Sequence, residues 1–275
     1  MDMLSERKRP SPLPDPDVVR SKAALRDCIA EIARLEDVLS LYHPASALAR
    51  LNARGALDAP PIELVEVLTA AERMSASSEG AFDVTVQPLW SVYVRAQREP
   101  GVSRSGCKRR AHIGWQRLRI APDRVAFAAP GMAATLNGIA QGYAADRIAG
   151  RLRESGFAHV LADLGEYRAL GGRTPGEAWR IGIGRPGDSD DLAATLALSD
   201  AALATSSPSG FRFDTIGERH HLFDPRTGRS ATSWAQVSVI APMPPPRTHS
   251  RPLLPSRRWT RLRACSRPAA AARRC

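Results

Sequence analysis

The sequence predicts an α+β fold with one core, in which mixed or antiparallel sheets are flanked by helices. Three observations predict it: an amphipathic stretch near the amino end, a second helical pattern that opens on closely spaced glycines, and many short β-branched segments bounded by turn residues. The 275 residues suffice for one or two domains, and 43% hydrophobic with 24% charged residues is a globular composition.

Residues 1 to 19 form a proline-rich polar leader with Arg7-Lys8-Arg9, and disorder is expected there. From Ser21 to Leu41, Ala24, Leu25, Cys28, Ile29, Ile32, Leu35, Val38 and Leu39 recur at three- and four-residue steps, which predicts a helix. A loop with Pro44 and Ser46 leads to a short helical stretch through Leu48 and Leu51, and a further helix is expected over Pro61 to Ser75. Ala81 to Val86 suits either a strand or the lead-in to a helix.

Leu118 to Ile120 and Val125 to Ala128 flank Ala121-Pro122-Asp123 as a hairpin. A helix is expected over Gly138 to Ser155, stopped by Gly156. Strands follow at His159–Leu164, Trp179–Ile183, Thr195–Leu198, Ala202–Thr205, His221–Phe223 and Val237–Ile240. After Pro242 the periodicity stops, and 243–275, rich in Arg, Pro, Ala and Ser, is expected to be disordered.

The net charge of +11 invites a nucleic-acid reading, but nine arginines of the acid-free stretch 243–275 supply most of it. That stretch has no lysine and one aromatic, Trp259, so bound nucleic acid is not expected. No apolar run reaches membrane-spanning length, and the first thirty residues hold no export signal, which predicts a cytoplasmic chain as written. The four cysteines lack paired spacing, and Cys28 reads as a buried inert thiol.

Four polar clusters could carry chemistry. Tyr42, after the first helix, could stack on a flat ligand or simply close a core helix. Asp83, in Glu79-Gly80-Ala81-Phe82-Asp83, is a site carboxylate or a cap and turn residue. In Asn137-Gly138-Ile139-Ala140-Gln141-Gly142-Tyr143-Ala144-Ala145-Asp146, the glycines and free helix-start amides favour phosphate, although close helix packing gives the same spacing. The pair His220-His221 before Asp224-Pro225-Arg226-Thr227-Gly228 suits acid–base work or a structural role.

Taken in order, these clusters resemble the ApbE-type flavin transferases, the FAD:protein FMN transferases. Ser40 to Pro44 with Ser46 to Asn52, Gly80 to Val86 with Pro88-Leu89, Asn137 to Asp146, Ala204-Thr205-Ser206, and His221 to Gly228 follow the family's sequence of motifs. The resemblance implies one flavin-transferase domain over 20–242, incomplete at both ends. It implies FAD as substrate, Mg²⁺ as cofactor, and a target flavoprotein whose Ser or Thr takes FMN by a phosphoester as AMP leaves.

It further implies that Tyr42, Ala81, Phe82, Asp83, Asn137, Gln141, Tyr143 and Asp146 line the FAD site. His221 is implied as general base and the carbonyl of Ala140 as one metal ligand. Gln141 stands where many members have lysine, and the Asn137–Tyr143 wording is closest to the subgroup tied to nitrous-oxide reductase maturation. Family members work in the periplasm or at a membrane. After Pro242 the family's Asp-Ala-Leu-Ser-Thr type loop, with its metal-binding Asp and Thr, is absent, and an out-of-frame tail is the expectation. An inactive FAD-binding remnant or flavin carrier is the alternative function, and a basic nucleic-acid-associated protein a third.

Overall fold

In the computed structural model, residues 16–99, 110–186, 188–214 and 218–242 are described. Most of the expected leader and the whole segment 243–275 lie outside them.

The first amphipathic stretch is α1 (Pro16–Leu39), opened by a proline where no intrahelical donor is needed and by Asp17 in the first turn. Its buried line is Ala24, Cys28, Glu31, Leu35, Val38 and Leu39. Leu25 and Ile29, expected on that stripe, are 60% and 58% exposed. Each residue turns 100° from the last, and α1 meets the helices over Ala140–Glu154, Ala47–Arg54 and Ile62–Ser77 along only a narrow seam, which leaves those two outside it. Cys28 is a buried free thiol, its pKa raised by burial.

The short helix expected through Leu48 and Leu51 is α2 (Ala47–Arg54), capped by the Ser46 hydroxyl, which accepts from the Ala49 amide at 3.0 Å. Then α3 (Ile62–Ser77) follows Pro61. Leu48, Leu51, Leu64, Val67 and Leu68 are wholly buried, each such side chain contributing about 1.5–3 kcal/mol by its removal from water.

These helices cover an antiparallel sheet of β1 (Ala56–Asp58), β2 (Leu118–Ile120) and β3 (Arg124–Phe127), in the order β1-β3-β2. The hairpin expected at 118–128 is its β2–β3 pair. Ala81–Val86 turns out to be a helix lead-in, a single 3-10 turn at Val84–Val86 running into α4 (Gln87–Arg98).

The glycine-rich helix is α5 (Ala140–Glu154). Beyond it, β4 (Val160–Asp163), β5 (Tyr167–Leu170), β8 (Ala201–Ser206) and β11 (Val237–Pro242) form an antiparallel sheet in the order β11-β8-β5-β4. Two ribbons, β6 (Trp179–Arg185) with β7 (Asp188–Leu198) and β9 (Phe223–Asp224) with β10 (Arg229–Ser230), complete the strands among the described residues. The strand expected from His221 is only the two residues of β9, because the ladder with β10 is two pairs long.

Among the described residues the buried apolar side chains fall into two clusters, one among α1, α2, α3 and the three-stranded sheet, the other around Ala169, Ile181, Leu198 and Leu203. α5 packs on both sides of this division, against α1 and against β4 and β5. Glu31 ties it to α1: wholly enclosed, its carboxylate accepts from Arg34, Arg147 and Arg151. Arg34 continues to Glu63 of α3 at 2.7 Å.

Candidate active site

The start of α5 gathers segments far apart in the chain. The Asn137 side-chain amide donates to the Tyr42 hydroxyl at 3.3 Å, across 95 positions. A Cβ added at Gly138 would stand 3.3 Å from Cε2 of Phe82, so glycine is what lets this ring approach the backbone. Tyr42 is held by Ser40, whose Oγ accepts the Tyr42 and His43 amides at 3.1 Å each. No side chain caps α5, whose Ala140 amide goes to the Leu136 carbonyl at 2.7 Å. Tyr42, Ala81, Asn137 and Gln141 are exposed around this helix start.

Asp83 is buried and serves as the cap of the 3-10 turn, the cap-and-turn alternative open at the sequence level. Its Oδ1 accepts from the amide and hydroxyl of Thr85 at 2.7 and 2.6 Å, and its Oδ2 accepts the Trp115 amide at 3.0 Å. Thr85 Oγ1 in turn accepts the Gly114 amide at 2.8 Å. Burial raises the carboxyl pKa, and the hydrogen bonds from Thr85 and Trp115 oppose the shift. With both oxygens engaged, Asp83 fixes the turn that carries Phe82.

Tyr143 and Asp146 point away from the helix start and bind neighbouring elements. The Tyr143 hydroxyl donates to Glu66 Oε2 of α3 at 2.6 Å, and burial followed by that carboxylate raises its pKa. Asp146 Oδ1 accepts from Nε of the buried Arg168 of β5 at 2.5 Å. Neither Glu66 nor Arg168 belongs to a motif read from the sequence. An arginine inside the short strand Tyr167-Arg168-Ala169-Leu170 was the signal available for the second. Among the described residues, no three of His, Cys, Asp and Glu converge as metal ligands.

The two adjacent histidines differ in burial, His220 being enclosed and His221 only partly so. His220 is buried, which lowers its pKa and favours the neutral ring. Its Nδ1 accepts the Leu222 amide at 3.3 Å, so Nε2 carries the proton toward the Ala231 carbonyl at 2.8 Å. His221 has Nδ1 3.2 Å from the Phe211 carbonyl, which can only accept, so the neutral ring keeps its lone pair on Nε2. A Cβ at Gly210 would come within 3.2 Å of Cε1 and 3.8 Å of Nε2, and the glycine leaves that edge uncrowded.

What holds this loop is an aromatic cluster absent from the sequence expectations. Trp90 and Tyr93 of α4 meet Phe211, Phe213 and Phe223 with ring centroids 4.8 to 5.2 Å apart. The Tyr93 hydroxyl adds a bond to the Gly228 carbonyl at 3.2 Å. Since α4 starts directly after the Asp83 turn, a continuous path of contacts joins that turn to Phe211, Phe213 and Phe223.

Comparison with known proteins gives a family. The model of the ApbE family matches residues 13–245. The FAD:protein FMN transferase of Haemophilus influenzae is 28% identical over 230 residues, 76% of this chain and 66% of that protein. That of Salmonella typhimurium is 29% identical over 220 residues, 74% of this chain and 63% of its own length. This chain thus spans just under two thirds of these curated relatives. Among solved structures, the apo form of the Pseudomonas stutzeri flavinyl transferase ApbE superposes with a TM-score of 0.69 at 29% identity, covering 80% of this chain and 72% of that one.

Proposed function

The chain belongs to the ApbE family, and from that membership we propose that it is an FAD:protein FMN transferase, moving FMN from FAD to a Ser or Thr of a target flavoprotein with release of AMP. The observation that carries the proposal is the meeting of Tyr42, Phe82 and Asn137 at the uncapped start of a 15-residue helix. Such a start offers amides and a positive dipole end to a pyrophosphate. Tyr42 and Phe82 supply aromatic surface for flat rings, and Asn137 and Gln141 neutral donors.

In the reaction, Nε2 of neutral His221 takes the proton of the incoming hydroxyl. The freed oxygen attacks the flavin-side phosphorus, the phosphoester forms, and the bond to the AMP phosphate breaks with its electron pair leaving on AMP. Magnesium, the cofactor this family pattern carries, would compensate the pyrophosphate charge. Of its expected ligands only the Ala140 carbonyl is among the described residues, which do not otherwise fit a cation site. No step here runs through one. The family pattern puts such an enzyme in the periplasm or at a membrane, and among the described residues no helix is long and apolar enough to cross one.

That mismatch at the metal favours a second reading, a flavin-binding protein or carrier without transfer. Purified chain, FAD, Mg²⁺ and a threonine-bearing target domain, followed by intact-protein mass, separate the two. A target gaining one FMN supports transfer, FAD retained without that gain supports the carrier, and neither result leaves both readings wrong. Transfer gained only after an Asp-Ala-Leu-Ser-Thr type segment is placed behind Pro242 assigns the deficit to the metal ligands.

A further inference from the structure

Arg168 makes three donor contacts at the interface between β5 and α5. Nε donates to Asp146 Oδ1 at 2.5 Å, Nη2 to the Gly142 carbonyl at 3.2 Å, and Nη1 to the Tyr167 carbonyl at 3.2 Å. Glu166 Oε2 stands 3.5 Å from Nη2. The guanidinium fits because position 142 is glycine: a Cβ there would lie 2.9 Å from Glu166 Oε2 and 3.1 Å from Arg168 Nη2. Beside it, Gly165 in the β4–β5 connection has φ +86°, and a Cβ on it would lie 3.2 Å from Nε2 of Gln141. The β4–β5 hairpin therefore grips α5 at positions 141, 142 and 146, while Glu66 takes Tyr143 from α3.

We propose that Arg168 is the positioning residue of the flavin site, fixing through Asp146 and the Gly142 carbonyl the direction of the first two turns of α5. The inference rests on the flavin reading above. A planar, always-charged fork satisfies two acceptors on one helix in a set geometry, which a lysine ammonium does not reproduce. Loss of the fork lets the helix start drift, and displacements of about 1 Å at a binding site are costly.

The test compares the full chain with Arg168→Gln and Arg168→Lys by equilibrium FAD titration, read by flavin fluorescence, and by thermal unfolding without ligand. Arg168→Gln is expected to weaken FAD binding about tenfold and Arg168→Lys about threefold, with unfolding midpoints within a few degrees of the parent. Where transfer is measured, KM for FAD rises by the same factor and kcat stays within about twofold. Parent-like FAD affinity in Arg168→Gln overturns the proposal and leaves the flavin reading intact. If Arg168→Gln does not fold, Arg168→Lys decides: parent-like affinity overturns the proposal, and an intermediate loss supports it. A parent chain that takes up no FAD overturns both the reading and the proposal.

Discussion

Nη2 of Arg151 on α5 donates to Glu31 on α1 at 2.7 Å, and that carboxylate, 2% exposed, is also held by Arg34 and Arg147. The hydrogen bond from Arg34, with those from the other two arginines, brings the Glu31 pKa down to about 2 against burial. A depressed carboxyl pKa stabilises the fold above the unfolded value, and the contribution is lost as pH falls through the folded one. Glu31→Gln should therefore cost about 2–3 kcal/mol in urea unfolding at pH 7, discounted from a fully buried pair because the arginines stay partly hydrated. The difference between the two proteins should shrink as pH is lowered from about 4.5 toward 2.

His221 is the residue through which the hydroxyl proton leaves in the proposed reaction. His221→Ala should lower the transfer rate by about 10²–10⁴-fold without changing FAD affinity. Equal loss of FAD binding, measured by fluorescence titration, would count against its role as base.

Gly210→Ala places a methyl 3.2 Å from Cε1 of His221 without entering the core. Transfer is expected to drop several-fold, roughly 1 kcal/mol in barrier, with an unchanged unfolding midpoint. An unaffected rate would mean that this edge of the imidazole is not where the hydroxyl arrives.

Tyr42→Phe and Asn137→Ala, alone and together, test the contact that links the two motifs. An exposed hydrogen bond of this kind is worth about 0.5–1 kcal/mol, so the double variant should bind FAD less weakly than the sum of the singles predicts. Strict additivity in FAD dissociation constants would separate the two residues.

Phe213→Ala removes the most buried ring of the aromatic cluster, one that touches Trp90, Tyr93, Phe211 and Phe223. A stability loss of about 3 kcal/mol is expected from urea unfolding. Amide exchange at His221, whose N–H donates to the Phe211 carbonyl at 3.2 Å, should accelerate with it.

Much of the architecture was legible in local pattern. Ala24, Cys28, Leu35 and Val38 recur at helical steps, and the turn residues Ala121-Pro122-Asp123 between two apolar segments mark the 118–128 hairpin. α4 was missed although Leu89, Val92, Tyr93 and Ala96 recur at helical steps; what the local pattern does not show is that Phe211, Phe213 and Phe223 arrive to cover its rings Trp90 and Tyr93. β5 was missed for a related reason: Arg168 interrupts the apolar run, and its charge is matched by Asp146, a partner 22 positions away.

The sequence by itself determined the family, the order of its motifs and the residue types at the helix start, since these depend on side chains in fixed order and on local spacing. Only the tertiary structure decided which of those residues have their polar atoms bound inside the protein and which stay exposed. Asp83, Tyr143 and Asp146 share motifs with Phe82, Asn137 and Gln141, yet their oxygens are bound by Thr85 and Trp115, by Glu66 and by Arg168. The physical reason is that a buried or partly buried polar atom must find a partner, and the partner available depends on which distant elements pack beside it.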